Sequence, residues 1–173
     1  MTNTRTIDWT DLESLDGLFM AVAEGKQEAV PKLAAALSTA PREGLSAWPA
    51  DRREAWAAGL DLALEGLAAG SAGAASELLL ASARIGFDSM AFRDLLAALA
   101  RQVFRTYSDT AGLLSALGIL DREVPTTAVL QRWELFAALP PGAPCFDPSH
   151  GHGPVARVDG IAGRVVFRFA PSP

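Results

Sequence analysis

Glycines stand where runs of apolar residues at helical spacing come to an end, and this punctuation constrains the fold more than any other feature of the chain. Leu12, Leu15, Phe19 and Val22 recur every three or four residues and then stop at Gly25. Trp56, Leu60, Leu64 and Leu67 stop at Gly70-Ser71-Ala72-Gly73, the run from Ser76 to Ile85 stops at Gly86, and a shorter run from Asp109 stops at Gly118. Apolar residues at this period line one face of a helix, and a glycine just past the last of them is a helix stop.

Seven helices follow from this reading. Thr10-Asp11-Leu12-Glu13 has capping-box spacing and opens the first. A second runs from about Gln27 to Ser38, with Pro31 in its first turn and Val30, Leu33 and Leu37 as its apolar residues. The third starts at Asp51, with Glu54, Asp61 and Glu65 on its wet side, and Ser76 to Ile85 forms the fourth. Phe92, Leu95, Leu96, Leu99 and Val103 form the cleanest stripe, entered through a cap at Asp88 or Ser89. Asp109 to Gly118 is the sixth, and Val129, Trp133 and Phe136 mark a seventh that begins at Thr126 or Thr127 and ends before Pro140-Pro141. Short turns between helices make antiparallel neighbours, so the expected class is mainly α: a multi-helix bundle or a short helical-repeat solenoid.

After Pro141 the composition turns to Pro, Gly, His and β-branched residues. Val155, Val158, Ile161, Val165, Val166, Phe167 and Phe169 are strand-type residues, and Asp159-Gly160 with Ala162-Gly163 offers a turn between two strands. The chain therefore divides into a helical part, 1–139, and a small β-hairpin module, 140–173. A lone hairpin is marginal in water, so this one is expected to pack on the helices, to join a larger sheet, or to belong to a domain that continues beyond Pro173. Regular alternation would put Val155, Arg157 and Asp159 on one face, bury Val165, Phe167 and Phe169 together, and turn Arg157, Arg164 and Arg168 outward.

Half of the 173 residues are hydrophobic, enough for a substantial core, and the net charge of −5 argues against a general nucleic-acid binder. From Pro144 onward three arginines face two aspartates, so this piece is +1 and the helical part is −6. The single cysteine, Cys145, cannot form an internal disulfide, and Met1 to Arg5 lacks the apolar core of a secretory leader. Apolar stretches such as Leu78 to Ala81 fall far short of the ~20 residues that span a bilayer. A cytoplasmic protein with no membrane partner is expected.

Cys145, Asp147, His150 and His152 place four potential metal ligands within eight positions. Zinc sites draw on two separated ligand pairs held by a scaffold, and no such pairs are present, so no metal is expected. Cysteine catalysis would need an orienting third group and an oxyanion pocket, for which the sequence holds no signal. Gly151-His152-Gly153 and Gly160-Ile161-Ala162-Gly163 lead into strands and lack the Lys-Ser/Thr of a phosphate cradle. No catalytic or cofactor-binding residue is assigned, and the chain reads as a non-enzyme.

The stretch from Leu139 to Asp159, Leu-Pro-Pro-Gly-Ala-Pro-Cys-Phe-Asp-Pro-Ser-His-Gly-His-Gly-Pro-Val-Ala-Arg-Val-Asp, resembles two patterns. One opens the Tudor-like or SH3-like modules with which CarD-type regulators and the transcription-repair coupling factor dock on RNA polymerase. The other closes the helical N-terminal extensions of some Gre-type transcript elongation factors; Arg132-Trp133, Leu139 and Pro141-Gly142 are similar to it, while His150 stands where that pattern favours Trp. The resemblance implies a non-enzymatic interaction domain, an accessory part of a bacterial elongation factor, with RNA polymerase as its protein partner and no sequence-specific nucleic-acid binding. Partner-binding residues would be Phe146, His150, His152, Arg157, Arg164 and Arg168. The alternative is a free-standing helical scaffold for protein interactions whose hairpin only closes the core.

Overall fold

A computed structural model describes residues 12–40, 44–67, 72–105, 107, 110–159 and 164–168. Among these the chain forms α1 (Leu12–Ala23), α2 (Val30–Ser38), α3 (Ala50–Glu65), α4 (Ser76–Arg84), α5 (Met90–Val103), α6 (Thr110–Leu117) and α7 (Thr126–Ala138). Three strands follow, β1 (Pro144–Asp147), β2 (Gly151–Asp159) and β3 (Arg164–Phe167), in one antiparallel sheet of order β1-β2-β3. The fold is thus mainly α with a small C-terminal sheet, one strand larger than the expected hairpin. The added strand, β1, pairs with β2 through a turn that the Asp-Pro-Ser-His-Gly sequence encodes. The expected Thr10-Asp11 cap and the Asp159 to Gly163 turn involve residues outside those described.

Three of the expected glycine stops, Gly25, Gly86 and Gly118, close their helices in the left-handed conformation; α3 instead ends at Glu65, ahead of the expected Gly70-Ser71-Ala72-Gly73, with Gly66 as its cap, and Gly70 and Ser71 lie outside the described residues. At the end of α6 Gly118 has φ +77°, its N–H donates to the Leu114 and Ser115 carbonyls, and the Ile119 N–H reaches back to Leu114 at 3.2 Å. That pairing is a Schellman closure, and it needs a left-handed residue, which only glycine supplies without steric cost. The same six-to-one bond closes α1, from the Lys26 N–H to the Ala21 carbonyl, and α4, from the Phe87 N–H to the Ser82 carbonyl. At the start of α5 the Ser89 hydroxyl accepts from the Phe92 N–H, so Ser89 is the cap and Asp88 is freed for another partner.

The helical faces are buried as their spacing predicts. Leu15, Phe19, Val22, Trp56, Leu60, Leu64, Phe92, Leu96, Val129, Trp133 and Phe136 belong to one continuous core. Val103, assigned to the α5 stripe, is instead half exposed, since it is the last residue of its helix and nothing covers it fully. Trp56 is the hub, meeting Phe19, Trp48 and Phe87 edge to face, and a second aromatic group joins Phe104, Tyr107, Trp133 and Phe136. Burial pushes the Tyr107 phenol above its ordinary pKa.

The densest helix packing is between helices that are not consecutive in the chain, α1 on α3, α2 on α4, α4 on α7 and α3 on α5. The α1–α3 crossing depends on small residues. A Cβ built on Gly66, at the end of α3, would lie 2.5 Å from the Ala23 carbonyl oxygen and 2.6 Å from its Cα. Gly66 has φ −70°, where alanine is at no conformational disadvantage, so propensity alone would make Gly66→Ala favourable by up to ~1 kcal/mol. Because the obstacle is backbone, which cannot swing aside, we expect Gly66→Ala to destabilise by about 1–3 kcal/mol in chemical denaturation. A neutral or stabilising result would contradict the close approach.

Candidate interaction surface

The sheet owes its shape to the turn between β1 and β2. Pro148 suits the second position of a type I turn, and the Asp147 carboxylate accepts from the Ser149 and His150 amides at 2.8 and 3.0 Å. Gly151, opposite Asp147 at the start of β2, then takes φ +78°, a left-handed conformation that glycine adopts without steric cost. Asp147 is therefore a turn-former, and His150 occupies the exposed loop apex.

Register places the remaining residues on two faces. Cys145 stands opposite Gly153, Phe146 opposite His152 and Pro144 opposite Pro154. Gly153 and Val155 are buried and Cys145 is half-buried, so this set faces the helices; Val155, 2 % exposed, enters the helical core itself. Phe146, His152, Pro144 and Pro154 form the outer face. Phe146 is 64 % exposed, with its ring centroid 5.0 Å from that of His152.

Beyond Pro154 the alternation changes hand. Val155 pairs with Phe167, but Arg157 pairs with Val166 and Val158 with Val165, so one extra residue is accommodated between Val155 and Arg157. A β-bulge of this kind reverses the parity of everything after it. Val155 and Arg157, expected on one face, are separated: Val155 takes the inner side and Arg157 takes the outer side with Val166. The Arg168 N–H donates to the Pro154 carbonyl at 3.0 Å, which continues the ladder and sets Arg168 beside Pro154. Arg157 and Arg168 are both exposed, and Arg164 stands opposite Asp159 in the ladder. The expected burial of Val165 and Phe167 is only partial, because β3 is an edge strand: Val165 is half-buried and Phe167 is 36 % exposed. Phe169 lies outside the described residues.

The structure thus brings Phe146, His152, Arg157 and Arg168 to one face, leaves His150 at the turn, and adds Pro144, Pro154 and Val166. These three were not among the expected partner-binding residues, and for Pro144 the missed signal was the turn chemistry that makes its segment a strand. Cys145 and His152 are in neighbouring register positions of opposite parity and so lie on opposite faces. Among the described residues no group of three His, Cys, Asp or Glu side chains could hold a metal ion, and no helix is long and apolar enough to cross a membrane.

Elsewhere a cleft of about 610 Å³ is lined by Leu45, Arg53, Glu54, Ile85, Phe87 and Asp88. Its most suggestive group is already engaged, since both Asp88 oxygens bind Arg93 at 2.6 and 2.8 Å. Arg93, 6 % exposed, also donates to the carbonyls of Ile119, Asp121 and Val124 at 3.0, 2.6 and 2.9 Å, and to that of Gly118. It clamps the α6–α7 turn and was not anticipated. Compared with known protein families, curated proteins and solved structures, the chain matches none.

Proposed function

We propose that this chain is a non-enzymatic interaction module, an accessory part of a transcription elongation factor, that docks on RNA polymerase through its C-terminal sheet. The observation that carries the reading is the two-sidedness of that sheet. Its inner face supplies Val155 to the helical core, while its outer face leaves Phe146 64 % exposed beside His152 and near the exposed Arg157 and Arg168. Exposed aromatic and arginine side chains are the residues that most often carry binding energy in protein interfaces. The partner's identity rests on the resemblance of Leu139 to Asp159 to polymerase-docking modules. Both β1 and β3 are edges of the sheet, so strand addition could supplement the face contact.

A second reading is favoured by Val155: the sheet could serve only to seal the helical core of a free-standing scaffold. Replacing Arg157, Arg164 and Arg168 together by serine separates the two. On the docking reading the triple variant unfolds at the wild-type temperature and binds bacterial RNA polymerase about tenfold more weakly, the combined effect of three exposed charges. Wild-type binding that is unchanged in the variant at moderate salt would exclude this surface and leave the sealing role.

A further inference from the structure

We infer that the outer sheet face binds an extended, proline-containing, acidic segment of its protein partner. This rests on the docking reading above and names the chemistry of what docks. Cross-strand register builds a platform of rings: Phe146 beside His152, and one row along, Pro144 beside Pro154. Arg168 continues the second row through its N–H bond to Pro154, and Arg157 stands opposite Val166 in the row beyond the bulge.

Rigid rings lose little entropy on binding, and their flat faces suit the pyrrolidine rings of a polyproline II segment, which is itself pre-organised. Charge sets the rest of the requirement. Exposed Arg157 and Arg168 lie on this face, the Asp147 carboxylate of the β1–β2 turn is held by the turn amides, and Asp159 stands opposite Arg164 in the ladder. An exposed aromatic with nearby arginines could also stack the bases of a single strand. That occupant is disfavoured here because the helical part carries a net −6 and a strand adds a negative charge at every nucleotide, whereas a peptide needs only one or two carboxylates.

The test is fluorescence anisotropy on the full chain with a labelled peptide of about ten residues in which proline pairs alternate with glutamate. In polyproline II conformation such a peptide spans ~30 Å, matching the nine-residue β2. We expect saturable binding, weakened about tenfold by Phe146→Ser or by His152→Ser and about threefold by Arg168→Ser, with thermal unfolding unchanged. A glutamate-free oligoproline should bind less tightly than the acidic peptide. The inference is overturned if the peptide fails to bind at ~1 mM, if neither ring substitution weakens it, if removing glutamate has no effect, or if an oligodeoxythymidine of similar length binds at least as tightly. Binding of the wild-type chain to RNA polymerase, measured alongside, distinguishes the two failures: with it present and the peptide silent, the docking reading stands and only this inference falls.

Discussion

Replacing Arg93 by methionine should destabilise the fold by about 3–5 kcal/mol, the scale seen when one member of a buried charged network is removed. The guanidinium is 6 % exposed and serves five acceptors: the Asp88 carboxylate and the carbonyls of Gly118, Ile119, Asp121 and Val124. Methionine matches the length but donates nothing, so Asp88 loses its counter-charge and the turn carbonyls lose their donor. The α6 terminus adds to the cost, because its last carbonyls form the negative end of a helix and Arg93 provides the cation there. Arg93→Lys should recover only part of the loss, since an ammonium cannot bridge two carboxylate oxygens and splay toward Ile119 and Val124 at once. Urea denaturation followed by circular dichroism reads both. A loss below about 1 kcal/mol for Arg93→Met would show that the clamp is incidental. Adding Asp88→Asn tests the pairing: if the two residues act as a unit, the double variant should be much less unstable than the sum of the single ones.

Trp56→Ala should cost a comparable 3–5 kcal/mol, roughly the upper range for emptying a fully buried aromatic site. Trp56 is 0 % exposed and touches Phe19 of α1, Trp48, and Phe87 at the α4–α5 junction, so its removal opens a void shared by several elements. Its indole Nε1 is buried with no hydrogen-bond partner among the described residues. Trp56→Phe removes that orphan donor while keeping most of the ring, and should therefore cost well under half as much as alanine. Equal losses for Phe and Ala would mean that the indole N–H, and not the ring volume, is what the site requires. Domains of this size are stable by ~5–15 kcal/mol, so either change to a small or apolar residue removes a large share of the total.

Arg93 also shows where reading the chain reaches its limit. An arginine amid Phe92, Leu95 and Leu96 looks like the wet side of an amphipathic helix. Its acceptors lie 25 to 31 positions away along the chain, apart from Asp88, and nothing in the local pattern announces them. Gly66 is similar: the apolar run from Trp56 to Leu67 passes over it without a signal, its φ of −70° is ordinary, and its role is to admit the Ala23 backbone. On the sheet, Phe146 and His152 were legible as surface candidates, but their contact required the β1–β2 register.

What the chain alone determined is what short-range chemistry controls. The helical periods, the glycine closures at Gly25, Gly86 and Gly118, a cap at Asp88 or Ser89 and the stop before Pro140 depend on backbone conformations and hydrogen bonds spanning a few residues, so they are written in the local sequence. The tertiary structure decided which helices became neighbours, α1 with α3 and α2 with α4, because many pairings of apolar stripes bury similar area and close backbone approach selects among them. It likewise decided which side of the sheet each arginine took. One extra residue between Val155 and Arg157 reverses the two-residue alternation, and whether a strand bulges there depends on its partner strand and on the helices that claim Val155 for their core.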